Sequence, residues 1–83
     1  MATSLHTAAY RRLATMLVAA RRERGITQQQ LAGRIGKPQS YVAKIEGSER
    51  RLDVVEFIAL ARALDLDPST FFAKIVTALD ADA

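Results

Sequence analysis

The chain has 83 residues, 49% hydrophobic and 25% charged, with no cysteine, one histidine and a formal charge of +3. That length suits one small domain near the lower limit of an unstapled core; without Cys there is no disulfide or thiolate metal site, and His6 alone leaves a zinc or haem site short of ligands. No apolar run approaches the ~18 residues of a membrane span, and the N-terminus lacks the basic and apolar regions of a secretory signal, so the expected setting is the cytoplasm.

No segment alternates apolar and polar residues in the manner of a strand, and the pattern predicts an all-α domain of five helices over the whole chain, with short terminal tails. Tyr10, Leu13, Leu17 and Ala20 recur at helical spacing and define a first helix over about 7–24, closed by a basic turn and Gly25. Thr27 and Gln30 form a capping box that opens a second helix over 28–35, burying Leu31, Ala32 and Ile35 before Gly36. Pro38 suits the first turn of a third helix over 38–46, which buries Val42 and Ile45 and ends at Gly47-Ser48. Asp53 and Glu56 repeat the capping box ahead of a fourth helix over 54–64, whose predicted inner face is Val54, Phe57, Ile58, Ala61 and Leu64. Asp67-Pro68 opens a fifth over 68–79, followed by a frayed tail. Its stripe of Phe71, Phe72, Ile75, Val76 and Leu79 has two readings: one side core and the other (Phe72, Ile75, Val76, Leu79) a contact with a second copy, or all of it core.

Charge is unevenly placed along this frame. Residues 10–51 hold ten basic side chains against three acidic ones, +7, whereas residues 52–83 are −4. A basic half suggests a polyanionic partner, although a solvated Arg-rich surface has the same composition. Arg11-Arg12 and Arg21-Arg22 fit that blander description, and Glu46 is expected to pair with a nearby Arg. No Gly-x-Ser-x-Gly turn or spaced pair of catalytic carboxylates is present, so the chain is not expected to be an enzyme or to carry a cofactor, metal or small-molecule ligand.

The second and third helices are too short, and their Gly36-Lys37 link too tight, to lie antiparallel, so they should cross steeply. The third helix then offers Gln39, Ser40, Tyr41 and Lys44 on its outer side. Gln can pair bidentately with adenine, Ser can serve either base, and Lys reaches the acceptors of guanine.

Thr27-Gln28-Gln29-Gln30-Leu31-Ala32, Gly36, Gln39-Ser40-Tyr41-Val42, Lys44-Ile45-Glu46 and Arg50-Arg51-Leu52-Asp53 resemble the lambda-repressor/Cro-like (XRE-type) helix-turn-helix DNA-binding family, over about residues 11–72. The resemblance implies base contacts from Gln39, Ser40 and Lys44, with Tyr41 at a variable position that can meet a thymine methyl or the backbone. It implies phosphate contacts from Thr27, Gln28, Lys37, Arg50 and Arg51, with Gln28 also buttressing the first side chain of the recognition helix. Two departures stand out: Pro38 replaces the usual Ser or Thr cap, moving the cap back toward Lys37, and the exit Glu46-Gly47-Ser48 has its glycine one place early. The expected function is a bacterial or phage transcriptional regulator, foremost a repressor, binding a palindromic operator in double-stranded DNA as a homodimer. The alternatives are an antitoxin or restriction-modification controller acting on its own promoter, and a protein-interaction module that no longer binds DNA.

Overall fold

Four of the five helices start where a side chain accepts a free backbone N–H group of the first turn, and the starts follow the punctuation of the sequence closely. The computed structural model describes residues 7–83; Ser4 and His6 lie outside the described residues. The helices are α1 (Ala8–Glu23), α2 (Gln28–Arg34), α3 (Gln39–Glu46), α4 (Val54–Ala63) and α5 (Pro68–Asp82), with no strand among the described residues. Thr7, Thr27, Asp53 and Asp67 accept from the N3 amide of their helices, and both expected capping boxes are complete. Such caps are each worth ~1 kcal/mol, which matters for helices of seven to ten residues.

α3 is the exception. Pro38 itself stands at the N-cap, with φ −70° and ψ 156°, and makes no side-chain cap hydrogen bond. The cap therefore does not move back to Lys37; proline's fixed φ sets the entry angle instead. At the other end of α3, Gly47 keeps φ −86° and it is Ser48 that turns left-handed, at φ 58°. Gly25 and Gly36, both at φ 68°, carry the turns after α1 and α2 as expected.

The helices share one core, built on Leu17, Leu31, Ala32, Val42, Ile45, Phe57, Leu60, Ala61, Leu64, Phe71 and Ile75. Phe57 and Phe71 stack with centroids 5.6 Å apart, and Phe72 meets Phe57 edge-on at 5.9 Å. The inner face of α4 differs from the expected one. Leu60 is buried and Val54 is 71% exposed, with Ile58 only half-buried. At 100° per residue Ile58 lies about 100° round the helix from Phe57, off the line through Leu60, Ala61 and Leu64. Val54 is within about 20° of Ala61 in direction but is the first residue of α4, at the end of the packed face.

Three further expectations are corrected. Ile35 is not inside α2 but is its half-buried C-cap, because the chain already turns toward Gly36 there. α5 runs three residues past Leu79 to Asp82, whose carboxylate reaches Arg12 at 3.2 Å, so the tail is helical where fraying was expected. Arg21 is not solvated: it stands four residues after Leu17 on the inward side of α1 and is buried.

Candidate nucleic-acid interface

α2 and α3 make the most extensive helix–helix contact in the molecule. Ala32, 1% exposed, lets the two backbones approach, while Leu31, Val42 and Ile45 seal the crossing. The Lys37 amide donates to the Ala32 carbonyl at 2.9 Å across the left-handed Gly36, which closes the turn without lengthening it. With Val42 and Ile45 inward, the outer side of α3 is left to Gln39, Ser40 and Lys44, all exposed, and to half-buried Tyr41.

Behind that surface runs a chain of polar contacts. Arg21 Nε donates to Glu46 Oε2 at 2.7 Å and Nη2 to Oε1 at 3.0 Å, while Nη1 reaches the Ile26 carbonyl at 2.8 Å. The two side chains are only 10% and 7% exposed, and the fork geometry lets a buried guanidinium and carboxylate satisfy one another. Hydrogen bonding from Glu46 raises the Arg21 pKa above its ordinary value, against the opposing effect of burial. Glu46 Oε1 also accepts from Gln28 Nε2 at 2.9 Å, and Gln28 Oε1 accepts from Gln39 Nε2 at 3.3 Å. A buried ion pair is thus joined through one amide to the first exposed residue of α3.

The segment after α3 is held as firmly. Tyr10 Oη donates to the Arg50 carbonyl at 3.2 Å and accepts from the Leu52 amide at 2.7 Å, tying the segment to α1. The Arg50 guanidinium forks onto Glu56 at 3.1 and 2.8 Å and lies 4.4 Å from the centre of the Tyr41 ring. Lys37 Nζ stands 5.4 Å from the same ring, a second cation against its π-system. Arg50, together with the Asp53 amide, holds the Glu56 carboxyl well down, at about 2. Burial and then Glu56 raise the Tyr41 phenol, which keeps it protonated and a hydrogen-bond donor.

The residues singled out from sequence therefore fall into four groups. Gln39, Ser40 and Lys44 share the outer side of α3, with Gln28 drawn up beside Gln39, while Tyr41 lies at its edge, half-buried against the core. Lys37 and Arg50 flank Tyr41. Thr27 caps α2 and keeps its own hydroxyl proton for another acceptor. Arg51 is exposed, and its guanidinium has no partner among the described residues. Glu46 pairs with an Arg as expected, but the reach of that pair through Gln28, the Tyr10 brace and the second role of Glu56 were not read from sequence. Only Arg21 left a signal there, its place four residues after Leu17 on the apolar face. Among the described residues no group of His, Asp or Glu could hold a metal ion, and no helix is long and apolar enough to cross a membrane.

Comparison with known proteins agrees with this geometry. Residues 17–71 match the helix-turn-helix family model. An XRE-family like protein from Pseudomonas syringae pv. tomato str. DC3000 is 44% identical, with TM-score 0.82 over 89% of this chain and 90% of that one. The restriction-modification controller protein C.AhdI from Aeromonas hydrophila is 33% identical, with TM-score 0.65 over 70% and 84%. The controller C.Esp1396I, solved as a tetramer with its natural 35 base-pair operator, shares the fold at 20% identity, TM-score 0.80, over 89% and 97%. No curated protein matches the chain.

Proposed function

Because this chain belongs to the XRE-type helix-turn-helix family of DNA-binding regulators, we propose that it is a transcriptional repressor that binds a palindromic operator as a homodimer. The observation that carries this reading is the outer side of α3: Gln39, Ser40 and Lys44 stand exposed together, and Gln39 is aligned by Gln28. Gln39, Ser40, Tyr41 and Lys44 would meet base edges in the major groove. Thr27, Gln28, Lys37, Arg50 and Arg51 would meet phosphates, which supply affinity but no base choice. Arg50 brings a guanidinium already oriented by Glu56 and Tyr41, so little side-chain entropy is lost when a phosphate joins it. The protein acts in the cytoplasm, on the DNA of its own cell.

Pairing through α5 supports the symmetry of the operator. Phe72 and Val76, 55% and 41% exposed, are the α5 residues free for it, with Leu79 half-buried beside them. Ile75, also expected at that contact, is 4% exposed and belongs to the core. Two recognition helices related by a two-fold axis would enter successive major grooves ~34 Å apart.

A second reading is favoured by the 33% identity with C.AhdI: a restriction-modification controller that acts on its own promoter. A restriction endonuclease gene beside this one would decide for it.

Selection of bound sequences from a random DNA pool tests the central reading. The expected result is one palindromic motif with half-sites one turn apart. Gln39→Ala should lower affinity for that motif by ~1–3 kcal/mol and relax base choice at one position of each half-site. Equal weakening on cognate and random DNA would remove Gln39 from the base-reading set.

A further inference from the structure

We infer that Arg21 and Glu46, which lie behind the DNA-facing surface, decide which base Gln39 accepts, by locking the amide orientation of two glutamines in series. The inference rests on the reading of Gln39 as a base contact. A carboxylate has acceptors only, so Glu46 Oε1 obliges Gln28 to turn its NH2 group inward. Gln28 Oε1 therefore points the other way, toward α3, and takes one N–H of Gln39. Gln39 is left with its second N–H and its Oε1. That donor and acceptor pair matches N7 and the N6 amino group of adenine.

The reverse setting has a different outcome. Were Gln28 turned over, its NH2 group would face Gln39 and draw the Gln39 oxygen inward. Gln39 would then present two N–H donors, the complement of the N7 and O6 acceptors of guanine. Adenine is selected over guanine because the carboxylate cannot donate, and because Arg21 holds it in place through two bonds while anchored to the Ile26 carbonyl. Arg21 and Glu46 are thus positioning residues: 10% and 7% exposed, they act through Gln28 and touch no DNA themselves.

Glu46→Gln tests this, since an amide in the same place can offer either an oxygen or an NH2 group to Gln28. Arg21→Met with Glu46→Gln removes the charges together, leaves no unpaired buried ion and keeps the test open where the single variant unfolds. Each is melted by circular dichroism and passed through the same random-pool selection as the wild type and Gln39→Ala. The expected result is adenine at the Gln39 position in the wild type. In both Glu46 variants its preference over guanine should fall by roughly tenfold, with every other position unchanged. If Gln39→Ala relaxes that position while the Glu46 variants leave it alone, or weaken all positions alike, the relay is overturned. If Gln39→Ala alters no position, the base contact itself fails and the inference goes with it.

Discussion

Ser48 leaves α3 at φ 58°, a conformation that burdens every residue with a Cβ, while Gly47 beside it sits at an ordinary φ of −86°. The flexibility of glycine is therefore spent one residue before it is needed. Ser48→Gly should raise stability by about 0.5–1 kcal/mol, the relief of the strained φ less the extra entropy of an unfolded glycine. A thermal melt should show a rise of roughly 2–8 °C for a domain of this size; an unchanged midpoint would mean that the strain is already absorbed. Asp65 has the same φ but less to gain, since its carboxylate, which a glycine would remove, lies 3.8 Å from Arg34. Glu56 makes a pH prediction. Its carboxyl is held at about 2 in the folded chain, below its value of ~4.3 when unfolded. The stabilisation is complete above the unfolded value and drains away as pH falls through the folded one. The stability gap between wild type and Glu56→Gln should accordingly be flat from pH 5 to 8 and close between about pH 4.5 and 2. Melts across that range check it, and a gap that persists at the acid end would assign the effect to shape rather than charge.

Among the elements, α3 depends most on its neighbours, with eight residues, no side-chain cap and an exit into a non-glycine left-handed turn. It is held by packing on α2 and α1 and by the Tyr10 and Arg50 braces on the segment that follows. Ala32→Leu tests the crossing directly. Overpacking the 1% exposed site should cost about 1–3 kcal/mol, read as a lower urea midpoint, and should push α3 off its seat. Operator affinity should then fall even under conditions where the variant remains folded; unaltered affinity would show that α3 is oriented without Ala32. The helices themselves were legible because caps and turn glycines act over three or four residues, and Thr27-Gln30, Asp53-Glu56 and Asp67-Thr70 each close their bonds within that span. The inner face of α4 was less so, because Val54 and Ile58 are as apolar as Leu60 and only the direction of approach of the other helices separates them.

At the scale of the molecule, the basic half of the chain supplies the α2–α3 unit, and the −4 half supplies α4 and α5. Val54 at the start of α4 and Phe72 on α5 line one apolar cleft of about 150 Å³ with Leu13, Leu52 and Phe57. Among the described residues Val54, Val55, Phe72 and Val76 are the large apolar side chains left exposed, and the proposed dimer would cover Phe72 and Val76. Phe72→Asp should convert a dimer to a monomer in sedimentation at micromolar concentration and weaken operator binding. Circular dichroism must show the fold retained, since Phe72 also meets Phe57 edge-on. A wild-type monomer, or a variant that still pairs, would exclude this face.

The sequence by itself determined the number and type of the helices, the starts of α2, α4 and α5, the tight α2–α3 turn, and the family, since each rests on contacts between near neighbours in the chain. Its +3 total concealed a division into +7 and −4 that was also plain from the residues alone. Only the tertiary structure decided what the charges do. Arg21 and Glu46 are 25 residues apart and Tyr10 and Leu52 are 42 apart, so no local pattern could pair them. Their partners were chosen by which helix ends the core brought together. Once out of water, a guanidinium and a carboxylate had to find each other, and the amides of Gln28 and Gln39 took their directions from that pair.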